Sequence, residues 1–261
     1  MNVEHTRWLL ALAVASGLAA SASAQTVSPY QSSLRPLGLS LVGKTYLDGT
    51  DALSQSCDAS KASFLQTITS KLPEHVAFTG AGLNRLDPTR LYFNFAYAPR
   101  VYYIYEGACY DNALGVTIAT VSAPTSKPAS GTNYTIFPFV HSSISPVCAS
   151  GSGVRSAKEP LMAGDFVQLP TVDAGQQLAF FIMAEMDRSG TPTNVFYNGD
   201  STNADDFQHL IAFFPDNSQY IIIGFEDMYD GGDQDCNDLM FVVDIGVNNA
   251  AALRNPSNMP R

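Results

Sequence analysis

The strongest constraint on this chain is a ladder of short apolar runs, each closed by a turn signal. Runs at 91–97, 101–105, 116–121, 134–140, 166–169, 178–184, 209–214, 219–225 and 239–245 are rich in Val, Ile, Leu, Phe and Tyr. Branched and aromatic side chains suit a pleated, half-buried surface. Short runs of this kind, bounded by Gly, Pro, Asn, Asp or Ser, read as strands. The stretch "PDNS" at 215–218 joins two of them as a tight hairpin. Many short strands between such turns predict an all-β fold, an antiparallel β-sandwich or jelly roll, over residues 76–246. The chain is 46% hydrophobic and only 15% charged, which supplies enough apolar surface for a packed core.

The ends read differently. Residues 1–24 have the order of a secretory signal peptide: a short start with Arg7, an apolar stretch at 8–20, then Ala22-Ser23-Ala24 before Gln25. Residues 25–75 form an N-terminal segment whose one good helix is expected at 58–72. Asp58 can cap it, Phe64, Leu65, Ile68 and Leu72 share a face, and Pro73 stops it. Residues 247–261 read as a flexible tail. No segment beyond the leader approaches 18 continuous apolar residues, so no transmembrane span is expected in the mature chain. Export to the periplasm or outside the cell would let Cys57, Cys109, Cys148 and Cys236 form up to two disulfides, in any of three pairings.

Charge is localised. None of the chain's 14 Lys and Arg falls within 196–246, a segment that holds eleven of its 24 acids. Such a surface argues against nucleic acid and points toward cations. The acids concentrate in "GFEDMYDGGDQDCNDLMF" at 224–241, between two expected strands. Asp233, Asp235 and Asn237 stand at alternate positions, like the first three side-chain ligands of an EF-hand loop. Gly231 and Gly232 allow the chain to curl, and Glu226 and Asp227 could close the shell from the incoming strand. Position 238, where an EF-hand needs Gly, is Asp238, so the expectation is a β-framed loop with similar local logic. A donor set made only of oxygens selects calcium rather than zinc or copper. The plainer alternative is a solvated acidic turn, with Asp and Asn capping backbone groups. If residues 233, 235 and 237 face an ion from an extended loop, Cys236 and Asp238 face away. Cys236 would then be placed to staple the loop to the body of the protein.

The stretch "IGFEDMYDGGDQDCNDLMFVV" resembles the signature of a bacterial secreted family known as domain of unknown function 4114. The stretches "AGQQLAFFIMAE" at 174–185 and "NADDFQHLIAFF" at 203–214 resemble it too, so the likeness spans about 164–243. It implies an exported β domain with a calcium site on Glu226, Asp227, Asp233, Asp235, Asn237 and Asp238, and no established enzymatic activity. Asp230 and Cys236 depart from the family's pattern, which usually has a glycine and an aromatic there. Three functions then compete. The first is a non-catalytic calcium-binding module that is structural or holds an extracellular ligand such as a glycan. The second is a glycan hydrolase using Glu226 or Asp227 with Asp238. The third is a self-associating surface or matrix component. His75, His141 and His209 are scattered, and read as structural hydrogen-bonding groups.

Overall fold

A computed structural model describes residues 33–47, 70–81, 83–122, 125, 127–141, 154–215 and 218–255. The expected signal peptide and most of the expected 58–72 helix lie outside these residues. Twelve strands follow in order: β1 (Ser40–Leu41), β2 (Thr45–Tyr46), β3 (Asn84–Leu86), β4 (Arg100–Tyr105), β5 (Ala113–Thr120) and β6 (Thr132–Phe137). Then come β7 (Phe166–Gln168), β8 (Gln176–Met186), β9 (Pro192–Tyr197), β10 (Leu210–Phe214), β11 (Tyr220–Phe225) and β12 (Leu239–Asp244), with a helix α1 (Val247–Leu253) after them. They form a five-stranded sheet, β1-β6-β5-β8-β9, and a seven-stranded sheet, β2-β7-β4-β12-β11-β10-β3. Pairing is antiparallel except for β1 on β6, which is parallel and so modifies the expected all-antiparallel pattern.

The two sheets face each other across one apolar core. Leu114, Val116, Phe180 and Ile182 of the smaller sheet meet Val101, Tyr103, Ile223, Phe241 and Val243 of the larger. Phe180 and Phe241 meet across the gap with ring centroids 5.0 Å apart and planes tilted by 60°. Each such buried side chain contributes about 1.5–3 kcal/mol. The larger sheet is covered on its other face as well. Tyr102, Ile104, Phe213, Ile222, Met240 and Val242 form a second apolar cluster with Leu72, Phe78 and Leu83 of the preceding segment. Burial on both faces explains why β11 and β12 read as unbroken apolar runs rather than alternating ones.

Other expectations change too, and the short strands β1, β2 and β3 lie where no strand was expected. Residues 91–97 form no strand: their backbone bridges the sheets at Tyr92–Gln177 and Tyr97–Val172, and Leu91 and Phe93 pack in the core. The N–H groups of Asn94 and Phe95 donate instead to Asn249 Oδ1, both at 3.0 Å. The strand β9 was not expected; it begins at Pro192 on the edge of its sheet and is largely polar, so no apolar run marks it. The expected tail at 247–261 starts as α1, which buries Asn249, Ala250 and Leu253. The side chain of Asn249 ties that helix to the 94–95 backbone, a contact 155 residues distant that no local pattern announces.

Candidate metal centre

Register places the acidic loop. Phe225 and Leu239 are paired at the ends of β11 and β12, so residues 226–238 form the hairpin connection between two central strands. The loop folds back under itself. A Cβ on Gly224 would collide with the Cys236 carbonyl oxygen, so only glycine lets the loop's far limb lie on β11. Gln234 and Cys236 adopt positive φ, 64° and 57°, and Gly231 and Gly232 do so too. The chain between Asp233 and Asp238 is therefore curled, not extended, and alternation of side chains follows the curl.

That curl divides the predicted ligands into two groups. Glu226, Asp227 and Asp238 converge, with one carboxylate oxygen of each within 4.8 Å of the others. Asp233 and Asp235 instead join Glu74 and His75 from the segment before β3, within the same 4.8 Å limit. Asn237 turns toward that second group, and its Nδ2 donates to Leu72 O at 3.3 Å. All six predicted residues thus sit at the loop, but not around one point. Asp238, expected to face away, is drawn in by the curl, and its Oδ2 accepts from Asp227 N at 2.8 Å.

The three-carboxylate group is unusual in its burial. Glu226 is 1% exposed and Asp227 2%. Asn112 Nδ2 donates to Asp227 Oδ2 at 2.6 Å, whereas Glu226 Oε2 is buried with no hydrogen-bond partner. Among the described residues no Lys or Arg makes an ion pair with any of the three. Burial, and after it the charge of Asp238, pushes Glu226 up to about 10 and Asp227 up to about 8. Burial also raises Asp238. A Cβ on Gly232 would collide with Glu226 Oε1, so the glycine makes room for the carboxylate. Behind the site, His209 lies stacked on Phe196 at 3.6 Å, with Nδ1 2.9 Å from the Glu226 carbonyl and Nε2 2.9 Å from Asp205 Oδ2. It is a structural hydrogen-bonding group, as its position in the sequence suggested.

At the second group, His75 N donates to Asp235 Oδ2 at 2.7 Å and His75 Nδ1 lies 2.6 Å from Asp233 Oδ2. Burial lifts Asp235 to about 6 against the lowering effect of its backbone donors. The hydrogen bond to Asp233, with the charge of Glu74 beside it, raises His75 above its ordinary value. Sequence reasoning missed Glu74 and His75 as loop partners, because 158 residues separate His75 from Asp233 and no spacing rule spans that distance. Cys236 is a free, buried thiol, not the expected staple. It packs with Leu72, Ile104 and Met240, and burial raises its pKa. At most one disulfide within the chain is left for Cys57, Cys109 and Cys148.

The chain thus has a two-sheet β domain whose central hairpin carries a partly buried acidic loop. Residues 172–246 match the family model described as Domain of unknown function (DUF4114), which bears out the resemblance read from the motif. The match takes in β8 to β12 and the whole loop, and leaves Glu74, His75 and Gly107 outside it. No curated protein and no solved structure matches the chain.

Proposed function

We propose that this chain is an exported calcium-binding β module that orders its acidic hairpin around the ion and serves a structural or extracellular ligand-holding role, a surface glycan being one such ligand. The observation that carries the reading is the buried Glu226 Oε2. A buried carboxylate oxygen on a residue 1% exposed, with no hydrogen-bond partner and with two more carboxylates beside it, is costly to leave unmatched. Glu226, Asp227 and Asp238 supply the hard oxygen donors that calcium takes, and a divalent ion would offset two of their three negative charges without a Lys or Arg. Calcium would then join the ends of β11 and β12, two central strands of the larger sheet.

Burial also favours binding over turnover. A hydrolase needs its carboxylate pair open to a substrate, and Glu226 and Asp227 lie beneath the loop. Among the described residues no helix is long and apolar enough to cross a membrane. The test is thermal unfolding of the mature chain in calcium and in chelator. At a hundredfold excess over the dissociation constant, calcium adds about 2.7 kcal/mol. Superimposable melting curves in the two conditions would remove the calcium reading.

A further inference from the structure

We propose that Glu74, His75, Asp233, Asp235 and Asn237 form a second cation site, one that takes a first-row transition ion such as zinc and is separate from the three-carboxylate group. The site joins two parts of the chain. The loop supplies Asp233, Asp235 and Asn237, and the turn after Pro73 supplies Glu74 and His75. Phe78 N donates to Gln234 O at 2.6 Å and fixes that turn against the loop. Ligand atoms of the two acids, the histidine and Glu74 lie within 4.8 Å of one another.

A second observation comes from Asn237. Its side chain is 1% exposed and its Oδ1 is buried without a hydrogen-bond partner. Nδ2 is engaged by Leu72 O, which leaves Oδ1 on the side of Glu74. A Cβ added to Gly107 would collide with Asn237 Oδ1 and lie 3.2 Å from Glu74 Oε2, so both oxygens crowd one small space that only glycine leaves open. Tyr105 Oη lies 3.5 Å from Glu74 Oε2, the long limit of a hydrogen bond, whereas Asn237 Oδ1, buried beside that carboxylate, has no donor at all, and a cation would supply its missing partner.

The chemistry of the set chooses the ion. An imidazole nitrogen beside carboxylates suits zinc and its neighbours in the first row, whereas calcium takes oxygen alone. The His75 side chain is 75% exposed, so the ion would reach the site from solvent and keep water in its shell. None of the five residues belongs to the Glu226–Asp227–Asp238 group, so this site does not rest on the calcium reading.

Equilibrium dialysis of the mature chain with zinc, with calcium and with both decides the matter, beside His75→Gln and Glu226→Gln variants. The wild type is expected to hold zinc and calcium together. His75→Gln should weaken zinc at least tenfold and change calcium less than twofold, and Glu226→Gln should do the reverse. With cobalt in place of zinc, the visible absorption of a nitrogen-ligated ion should be present in the wild type and absent in His75→Gln. Zinc binding that survives His75→Gln unchanged would overturn the proposal, as would one-for-one displacement of zinc by calcium. Melting curves in chelator check that the variants fold. Asp233→Asn, at another exposed member of the set, provides the second variant, and unchanged zinc binding there would equally overturn it.

Discussion

Replacing Glu226 by Gln separates repulsion from ligation at the buried carboxylates. Ligand oxygens of Glu226, Asp227 and Asp238 lie within 4.8 Å of one another. At an effective dielectric near 20, each fully charged pair at that distance repels by about 3.5 kcal/mol. The metal-free protein lowers this cost by holding protons: burial first, and then the charge of Asp238, pushes Glu226 up to about 10 and Asp227 up to about 8. Both folded values lie above the unfolded ones. Their stabilising contribution is therefore fully present below about pH 4 and is lost as pH rises through about 8 for Asp227 and about 10 for Glu226. Between pH 6 and 8, a carboxyl that stays protonated only when folded costs about 1.4 kcal/mol of stability per pH unit. Glutamine at 226 removes that dependence, so in chelator the variant should lose about 3 kcal/mol less than the wild type across this window. It should also be the more stable of the two at pH 8. Added calcium should restore the wild type at pH 8 and do far less for the variant. Guanidinium unfolding at pH 6 and 8, in calcium and in chelator, gives all the values needed. Equal pH slopes for the two proteins in chelator, or an equal gain from calcium, would refute the argument.

The remaining predictions concern the loop and its support. Gly107→Ala places a methyl against Asn237 Oδ1 and should destabilise by about 1–3 kcal/mol in denaturant unfolding, with loss of zinc binding in dialysis. Gln234→Gly relieves an exposed residue held at φ 64° and should stabilise by about 0.5–1 kcal/mol, read as a raised melting temperature in chelator. Phe180→Ala empties the contact with Phe241 between the sheets and should cost about 3–5 kcal/mol, while calcium affinity measured by calorimetry stays within twofold of the wild type.

Much of the sheet architecture was legible because strand signals are local. Apolar runs bounded by turn residues marked β4 to β8 and β10 to β12 within a few residues of their observed ends. The misreadings at 91–97 and 247–253 share one physical source, which is a backbone or surface satisfied by something distant, whereas β9 was missed because a polar edge strand carries no apolar run. Residues 91–97 looked like a strand because Leu91 and Phe93 are core residues, but their neighbours' N–H groups go to Asn249. The helix α1 looked like a tail because its burial depends on that same contact.

The acidic loop divides along the same line. Composition alone fixed where the negative charge lies, because no Lys or Arg occurs within 196–246 and charge counts need no structure. Spacing picked out Asp233, Asp235 and Asn237, with Glu226 and Asp227 on the incoming strand, as candidate ligands, and the family resemblance added Asp238. How they are grouped was decided only by the fold. Positive φ at Gln234 and Cys236 bends the loop so that Asp238 meets Glu226 and Asp227, while Asp233 and Asp235 turn to Glu74 and His75. Left-handed backbone at two non-glycine residues costs about 1–2 kcal/mol each, and it persists because the Cys236 backbone lies on Gly224 and the Cys236 side chain packs with Leu72 and Met240. Sequence can name the donors, but their grouping follows from tertiary packing that holds the curl.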